Sequence, residues 1–384
     1  MTAVLIDCRL MFYRKAGISM YTRRLVQALA AMPAPPQVQV LLDRRDQDTQ
    51  WIPATVPVRR AFTPAHHRYE AIALPLELLV LMRQAPALGS SRSALAGRRP
   101  PLVHFPDFIA CAGRFRKVIT IHDLYFMEHP EVMSDDGARY YERIHESVQR
   151  ADAIIAVSQF TRDDIVRLMP QVPTQKITVV HEAGEGGEHS AGAVVSLAYL
   201  HPPKHLSSSP YALFVGTFEP RKNLATLLHA LRYTPHDLRL IIVGEAGWAN
   251  GGEPARLARE LGLTERVQLA GRVSDAELDQ LYREARMLVF PSLSEGFGLP
   301  ALEAMARGTP VVCANTGSLP EIVGSAALLH DPLNVQQLAQ HMCQLWLDDA
   351  LYAEYRARGQ GQAAQFSWPR CAHETLAIYT ELAR

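Results

Sequence analysis

The sequence predicts an α/β protein: two doubly wound parallel-sheet domains facing each other across a central cleft. Three observations point there. The chain has 384 residues, too long for one ordinary domain and suited to two of roughly 150–200 residues each. Short, fully apolar runs alternate with amphipathic stretches, as expected of strands covered by helices on both faces. The alternation stops at a stretch rich in Pro and Ser, His201–Pro210, and then restarts.

In the first half, Val4–Cys8 opens as a strand, and Tyr21–Met32 follows as an amphipathic helix. Val38–Leu42 is the next strand. The run Ala71–Met82 (AIALPLELLVLM) contains Pro75 and Glu77 and is too short to span a bilayer. It reads as a buried helix, with a membrane-surface patch as the alternative. Residues 84–101 read as a surface loop. Leu102–Phe105 and Val118–Ile121 are strands, as is Ala153–Val157; Thr161–Met169 is a helix and Ile177–Val180 a strand. The segment His181–Gly192 is rich in Gly and Glu and marks a further break. In the second half the strands are Ala212–Gly216, Leu238–Val243, Val267–Leu269, Met287–Phe290 and Val311–Cys313. Helix patterns fall at 223–232, 253–261, 275–284, 299–307 and 334–347, and Arg370–Leu382 closes the chain as a helix. The domains are therefore placed at 1–205 and 206–365, with 366–384 crossing back to the first.

Composition narrows the classes. Apolar residues make up 48% and charged residues 20%, which excludes a disordered chain and a small disulfide scaffold. Lys plus Arg equals Asp plus Glu, so net charge argues for no partner and gives no sign of nucleic acid. The balance is uneven, however: residues 1–120 hold 17 Lys and Arg against 7 Asp and Glu. A basic first third suits peripheral contact with an anionic membrane or a phosphorylated acceptor, while scattered solvated Arg is the plain alternative. Five cysteines without close spacing imply neither a disulfide framework nor a zinc site. A reducing, cytoplasmic compartment is expected, with a peripheral place on the inner face of the membrane as the alternative. The N-terminus lacks a charged n-region and does not read as a signal peptide.

In open α/β sheets ligands bind at the carboxyl ends of strands, so chemistry is sought in the loops that follow them. In FPSLSEGFGLPALEAMARGTPVV (Phe290–Val312) a strand end leads to Glu295, Phe297 and Gly298, and then to a helix opening with Leu299 and Pro300. Free amides at that helix start suit phosphates. Glu295 and Glu303, eight residues apart, suit the two ends of a long, hydroxyl-bearing ligand. In VGTFEPRKNL (Val215–Leu224) the loop delivers Arg221 and Lys222 to a helix start capped near Asn223. Cations are misplaced beside a helix N-terminus, so an anion such as a diphosphate is expected to compensate them. In the first half, His122 and Asp123 follow an apolar strand, and Gly17 precedes the first helix, where backbone can approach a sugar. Ser158 and Thr161 are read as helix caps. Asp348 and Asp349 are read as solvent-facing within a helix. No metal motif stands at a strand end.

These motifs together resemble the retaining glycosyltransferase family 4, of GT-B fold. The resemblance rests on EPRKN, on Gly271–Arg272–Val273 with an acidic helix after it, on PSLSEGFGLPALEAMARGTPVV and on SLPEIVG (Ser318–Gly324). In the first half it rests on IDCRLMFYRKAGISMYT, VHFPDF, IHDLYFMEHPE and AVSQFTRDDI. The chain looks most like bacterial mannosyltransferases that build surface polysaccharides.

The resemblance implies transfer of a hexose, mannose from GDP-mannose first among the choices, to a sugar hydroxyl on a lipid-linked or polysaccharide acceptor. It implies that Arg221 and Lys222 bind the diphosphate, that Glu303 holds the ribose, and that Glu295 with Phe297, Gly298 and Leu299 holds sugar and phosphates. Arg272 and Val273, with Asp275, would face the base; His122 would lie by the donor sugar, and Gly17 would line the cleft. No cofactor or metal is required. The alternatives are a UDP-sugar donor and a nucleotide-binding subunit without turnover. Two departures stand out: Ala16 precedes Gly17 and Ser19 replaces a common glycine, and His181–Gly192 is longer and more acidic than usual. No residue is assigned from that segment.

Overall fold

A computed structural model of the chain describes residues 2–13, 17–65, 67, 69–84, 100–132, 141–184, 210–245 and 254–384. Most of 84–101, of His181–Gly192 and of the linker 201–210 lies outside the described residues. The chain divides into two compact units. One comprises Met1–Glu128, Asp135–Glu182 and Ser367–Arg384; the other comprises His129–Ser134 and Ala183–Phe366.

The strands of the first unit are β1 (Ala3–Asp7), β2 (Gln37–Asp43), β3 (Val58–Ala61), β4 (Leu102–Phe105), β5 (Arg116–Ile121), β6 (Ala153–Ala156) and β7 (Ile177–Val179). They form one sheet in the order β3-β2-β1-β4-β5-β6-β7, parallel throughout. Its helices are α1 (Gly17–Ala30), α2 (Glu70–Gln84), α3 (Tyr125–Glu128), α4 (Ile144–Arg150) and α5 (Gln159–Leu168). All four residues of β4 and of β6 are buried, as expected of strands covered on both faces.

The second unit carries β8 (Ala212–Val215), β9 (Leu240–Val243), β10 (Val267–Gly271), β11 (Met287–Phe290), β12 (Val311–Ala314) and β13 (Ala327–His330). This sheet is also parallel, in the order β10-β9-β8-β11-β12-β13. Its helices are α6 (Leu224–Leu231), α7 (Pro254–Glu260), α8 (Asp275–Glu284), α9 (Leu299–Ala306), α10 (Leu319–Val323), α11 (Val335–Leu347) and α12 (Asp349–Ala363). The last helix, α13 (Trp368–Leu382), belongs to the first unit. Its Cys371, Ala372, Ile378 and Tyr379 sit in the same core as β1, β2 and α1. Tyr379 Oη also meets His104 Nδ1 at 2.5 Å.

Local chemistry explains where the elements begin. Ser158 accepts a hydrogen bond from the Thr161 amide and so starts α5 at Gln159, two residues before the predicted start. Ser274 and Glu277 form a reciprocal capping box on α8.

Asp348 and Asp349 are exposed, as expected, with Asp348 capping α12 through the Leu351 amide and Asp349 as its first residue. Two expectations need correction. The run Ala71–Met82 is not a buried helix: α2 buries Leu74 and Leu78, while Ile72, Leu76, Leu79 and Val80 are exposed. Gly17 does not stand in a loop before the first helix; it is the first residue of α1. The strands β3 and β13 were not anticipated.

Candidate active site

Each sheet reverses its winding once, between β1 and β4 in the first unit and between β8 and β11 in the second. Loops leaving such a pair of strands diverge, and the crevice between them is where open α/β sheets bind ligands. In the second unit those loops are 216–223 and 291–298. They carry Arg221 and Lys222 on one side and Glu295 and Gly298 on the other.

The loops are joined by charge. Arg221 Nη1 donates to Glu295 Oε2 at 2.8 Å, and Lys222 Nζ donates to Glu295 Oε1 at 2.6 Å. Arg221 Nη1 also donates to the Ser294 carbonyl at 2.9 Å. The side chains of Lys222 and Glu295 are 10% and 9% exposed, so the bonds form largely out of water. Burial works against the Glu295 carboxylate, but Lys222 and Arg221 outweigh it and hold its pKa down at about 2. Burial also lowers the pKa of Lys222, with Glu295 opposing. The two cations are therefore not misfits at a helix start awaiting an anion: Glu295 already compensates them. A second acid, Glu219, stands 3.9 Å from Arg221.

The backbone holds this arrangement. Asn223, in the left-handed region at φ 53°, leaves α6 without a side-chain cap. Its Nδ2 donates instead to the carbonyls of Pro291 and Pro332, tying three strand-end loops together. Gly298 starts α9 at φ 103°, and a Cβ there would lie 2.7 Å from Leu319 Cδ2. The positive φ favours glycine, and any side chain there would also push the Leu319 methyl aside. Pro300 occupies the first turn of α9, so an amide missing there leaves no helix bond unmade. The Glu295 carbonyl accepts from the Ser318 amide at 3.0 Å and from Ser318 Oγ at 2.9 Å. SLPEIVG is thus the clamp on the Glu295 backbone.

The other second-unit residues divide. Glu303 is buried within α9 and accepts from Tyr282 Oη at 3.0 Å. The Phe297 side chain is buried edge-on against Phe366, at 6.0 Å between centroids, so only its backbone is available to a ligand. Leu299 opens α9. Arg272 is exposed, Val273 half-exposed and Asp275 exposed after β10 at the sheet edge, two strands from the reversal between β8 and β11.

In the first unit, His122 leaves the end of β5. Its Nδ1 lies 2.8 Å from Glu182 Oε1 and its Nε2 lies 2.9 Å from the Pro106 carbonyl. The Pro106 carbonyl can only accept, so Nε2 carries a proton, and an ionised Glu182 facing Nδ1 favours a second one. Burial opposes that charge, but the Glu182 hydrogen bond and charge overcome it and raise the His122 pKa. Tyr21 packs edge-on at 4.9 Å between centroids. Asp123 turns back to accept from the Tyr125 amide and so caps α3. Glu182 had no sequence signal, since it sits inside the Gly- and Glu-rich break; its burial to 2% exposure marks it only once the fold is known. A depression at the carboxyl ends of β1 and β4 is lined by Asp7, Arg9, Ser19, Thr22, Pro106 and Asp107. Of these only Ser19 was singled out beforehand, as a departure. Among the described residues, no group of three His, Cys, Asp or Glu side chains is placed to hold a metal ion.

Two parallel sheets, each with strand-end loops at its reversal point, define a GT-B enzyme when the loops carry such groups. The whole chain superposes on sucrose-phosphate synthase from Thermosynechococcus elongatus with a TM-score of 0.73 at 22% identity, covering 100% of this chain and 99% of that one. Residues 16–183 match the model described as Glycosyltransferase Family 4, and residues 201–362 match that of Glycosyl transferases group 1. The chain belongs to this family and is a glycosyltransferase. It is 37% identical to O-antigen chain mannosyltransferase B of Escherichia coli, over 79% of this chain and 82% of that one. It is 31% identical to the serotype-specific mannosyltransferase WbdA of Escherichia coli over 70% of this chain, but spans only 34% of that longer protein.

Proposed function

We propose that this glycosyltransferase moves a mannosyl group from GDP-mannose to a sugar hydroxyl of a lipid-linked or polysaccharide acceptor, with retention at the anomeric carbon. The observation that carries the donor side is the Arg221–Glu295–Lys222 cluster at the reversal point of the second sheet, beside the glycine-started helix α9. The mannose reading draws on the likeness to O-antigen chain mannosyltransferase B.

In this scheme the donor diphosphate lies against Arg221, Lys222 and the amide end of α9. Glu295 keeps both cations in place before the ligand arrives, so they need not reorganise as charge develops. Glu303 accepts hydrogen bonds from the ribose. The bond between C1 of the sugar and the phosphate oxygen breaks, and its electron pair stays on the phosphate. The acceptor hydroxyl then attacks C1 from the face the phosphate leaves, and its proton passes to that phosphate oxygen. His122 is not the base, because Glu182 and the Pro106 carbonyl engage both of its ring nitrogens; its part is to hold positive charge at the carboxyl end of β5. The depression lined by Ser19 and Asp107 supplies hydroxyl partners for an acceptor. The nucleotide sugar is a substrate, and the cation pair with the helix terminus offsets the charge of the leaving group without a cofactor in the scheme.

The test is incubation with a mixture of nucleotide sugars and an oligosaccharide acceptor, read by mass spectrometry. Consumption of GDP-mannose with a mannosylated product supports the reading. Consumption of a UDP-sugar in its place overturns the donor assignment. Thermal shift with GDP against UDP checks the base independently.

A further inference from the structure

Two histidines of the first unit stand on neighbouring strands, His104 in β4 and His122 at the end of β5, and their surroundings are opposite. His122 meets a carboxylate and a carbonyl. His104 meets two hydroxyls: its Nδ1 lies 2.5 Å from Tyr379 Oη and its Nε2 lies 2.8 Å from Thr120 Oγ1. A hydroxyl can donate or accept, so a neutral ring is satisfied on both nitrogens in either tautomer. Burial, and then the charge of His122, lower the His104 pKa to about 3. His104 is therefore neutral at neutral pH. The hydroxyls continue beyond it, with Thr120 Oγ1 lying 3.1 Å from Tyr21 Oη. The result is one chain, Tyr379–His104–Thr120–Tyr21, in which every member is fully buried. It runs from α13 across β4 and β5 to α1. Its last ring stands against His122, at 4.9 Å between centroids and 81° between planes.

Packing alone does not call for this chain. Tyr21 and Tyr379 lie in an apolar core with Val4, Ile6, Leu25 and Ile155, where Phe at both positions and Val at 120 would fill the same space. A buried polar chain is costly wherever a partner is missing, and what it adds when complete is a fixed orientation. The orientation that matters is that of the Tyr21 ring. Hydrogen bonds to Glu182 and to the Pro106 carbonyl hold the two ring nitrogens of His122. They still leave the ring free to tilt about the line joining those nitrogens. The Tyr21 ring packed against it removes that freedom. Trp368, at the start of α13, leans on the same Tyr21 ring at 6.1 Å between centroids. We propose that Tyr379 and His104 are positioning residues for the transfer reaction, fixing the tilt of the His122 ring through Thr120 and Tyr21. Tyr379 and His104 are 275 residues apart, so the last helix reaches the histidine at the end of β5 through hydrogen bonds as well as through packing. The inference rests on the proposed function only in that His122 serves transfer.

The experiment joins steady-state kinetics, with GDP-mannose and an oligosaccharide acceptor, to imidazole NMR on the full chain. Tyr379→Phe and Tyr21→Phe each remove one hydroxyl and keep the ring. Each should lower kcat about tenfold and leave the donor KM unchanged, since Arg221 and Lys222 belong to the other unit. Each should also displace the His122 ring resonances and their pH titration, in which Glu182 and Asp107 are the acids that act on the ring and His104 stays neutral. The residues act as one chain, so the double variant should lose little more kcat than either single one. Thr120→Val should resemble the tyrosine variants, and Thr120→Ser, which keeps the hydroxyl, should recover most of what Thr120→Val loses. That pair decides the question if a tyrosine variant folds poorly. Unmoved His122 resonances in Tyr379→Phe, or kcat losses that multiply in the double variant, overturn the proposal and make the chain a matter of stability alone. The resonances are read on the free protein, so failure of the GDP-mannose assignment leaves that arm of the test standing.

Discussion

A buried carboxylate gathers positive charge in both units, but the two arrangements differ in kind. In the second unit Glu295 holds two cations, Arg221 and Lys222, and its pKa lies near 2. In the first unit Glu182 faces one ionisable ring, His122, whose pKa burial lowers but the Glu182 hydrogen bond and charge raise overall. The second-unit cluster rests on a carboxylate that stays ionised down to low pH, whereas the first-unit pair rests on histidine, the side chain whose unperturbed pKa lies nearest neutrality.

Removing Glu295 should break this contrast most severely. Glu295→Ala leaves the buried Lys222 without its counter-ion and Arg221 with only the more distant Glu219, at a cost of about 3–5 kcal/mol in stability, and transfer should be lost with it. Denaturant unfolding and product formation measure the two effects; an unchanged unfolding midpoint would show that the cations do not depend on Glu295. Next in size, Arg221→Ala should lower kcat about a hundredfold or more while disturbing the melting temperature much less than Glu295→Ala does. Equal losses of stability in the two variants would return Arg221 to a structural part. Glu303→Ala should weaken nucleoside diphosphate binding by about 1.5–3 kcal/mol, and calorimetric titration reads it directly. It also strips Tyr282 Oη of its acceptor, so Tyr282→Phe separates the packing loss from the binding loss.

The smallest effect sharpens the other half of the comparison. Glu182→Gln removes the charge that favours the protonated ring, so the His122 pKa should fall. The alkaline limb of the activity profile should move to lower pH with it, as imidazole NMR titration will record. A profile that stays in place while stability falls would make the pair structural only. Stability follows the same signs. The His122–Glu182 contribution is present below the unfolded histidine pKa of about 6.5 and is lost as pH rises through the raised folded value. The Glu295 contribution is present above the unfolded value of 4.5 and is lost as pH falls through about 2.

Much of this was legible in the sequence because parallel strands are apolar on both faces. Leu102–Phe105 and Met287–Phe290 could be read to the residue. The strand β3 escaped because VRRA, at the sheet edge, carries two arginines and no apolar run. Site positions after β8 and β11 were legible from loop chemistry, whereas the pairing of Lys222 with Glu295 was not, since it joins residues 73 apart. Glu182 was hidden for a related reason: a carboxylate in a Gly-rich stretch looks solvated until folding buries it against a histidine 60 residues away. For α2, periodicity announces a helix but does not say whether anything covers its second face.

The most direct test is a crystal structure of the protein with a nucleoside diphosphate bound. The diphosphate should lie within hydrogen-bonding distance of Arg221, Lys222 and the first amides of α9, with Glu295 still holding both cations. A diphosphate bound elsewhere, with Arg221 and Lys222 engaged only by Glu295, would contradict the account.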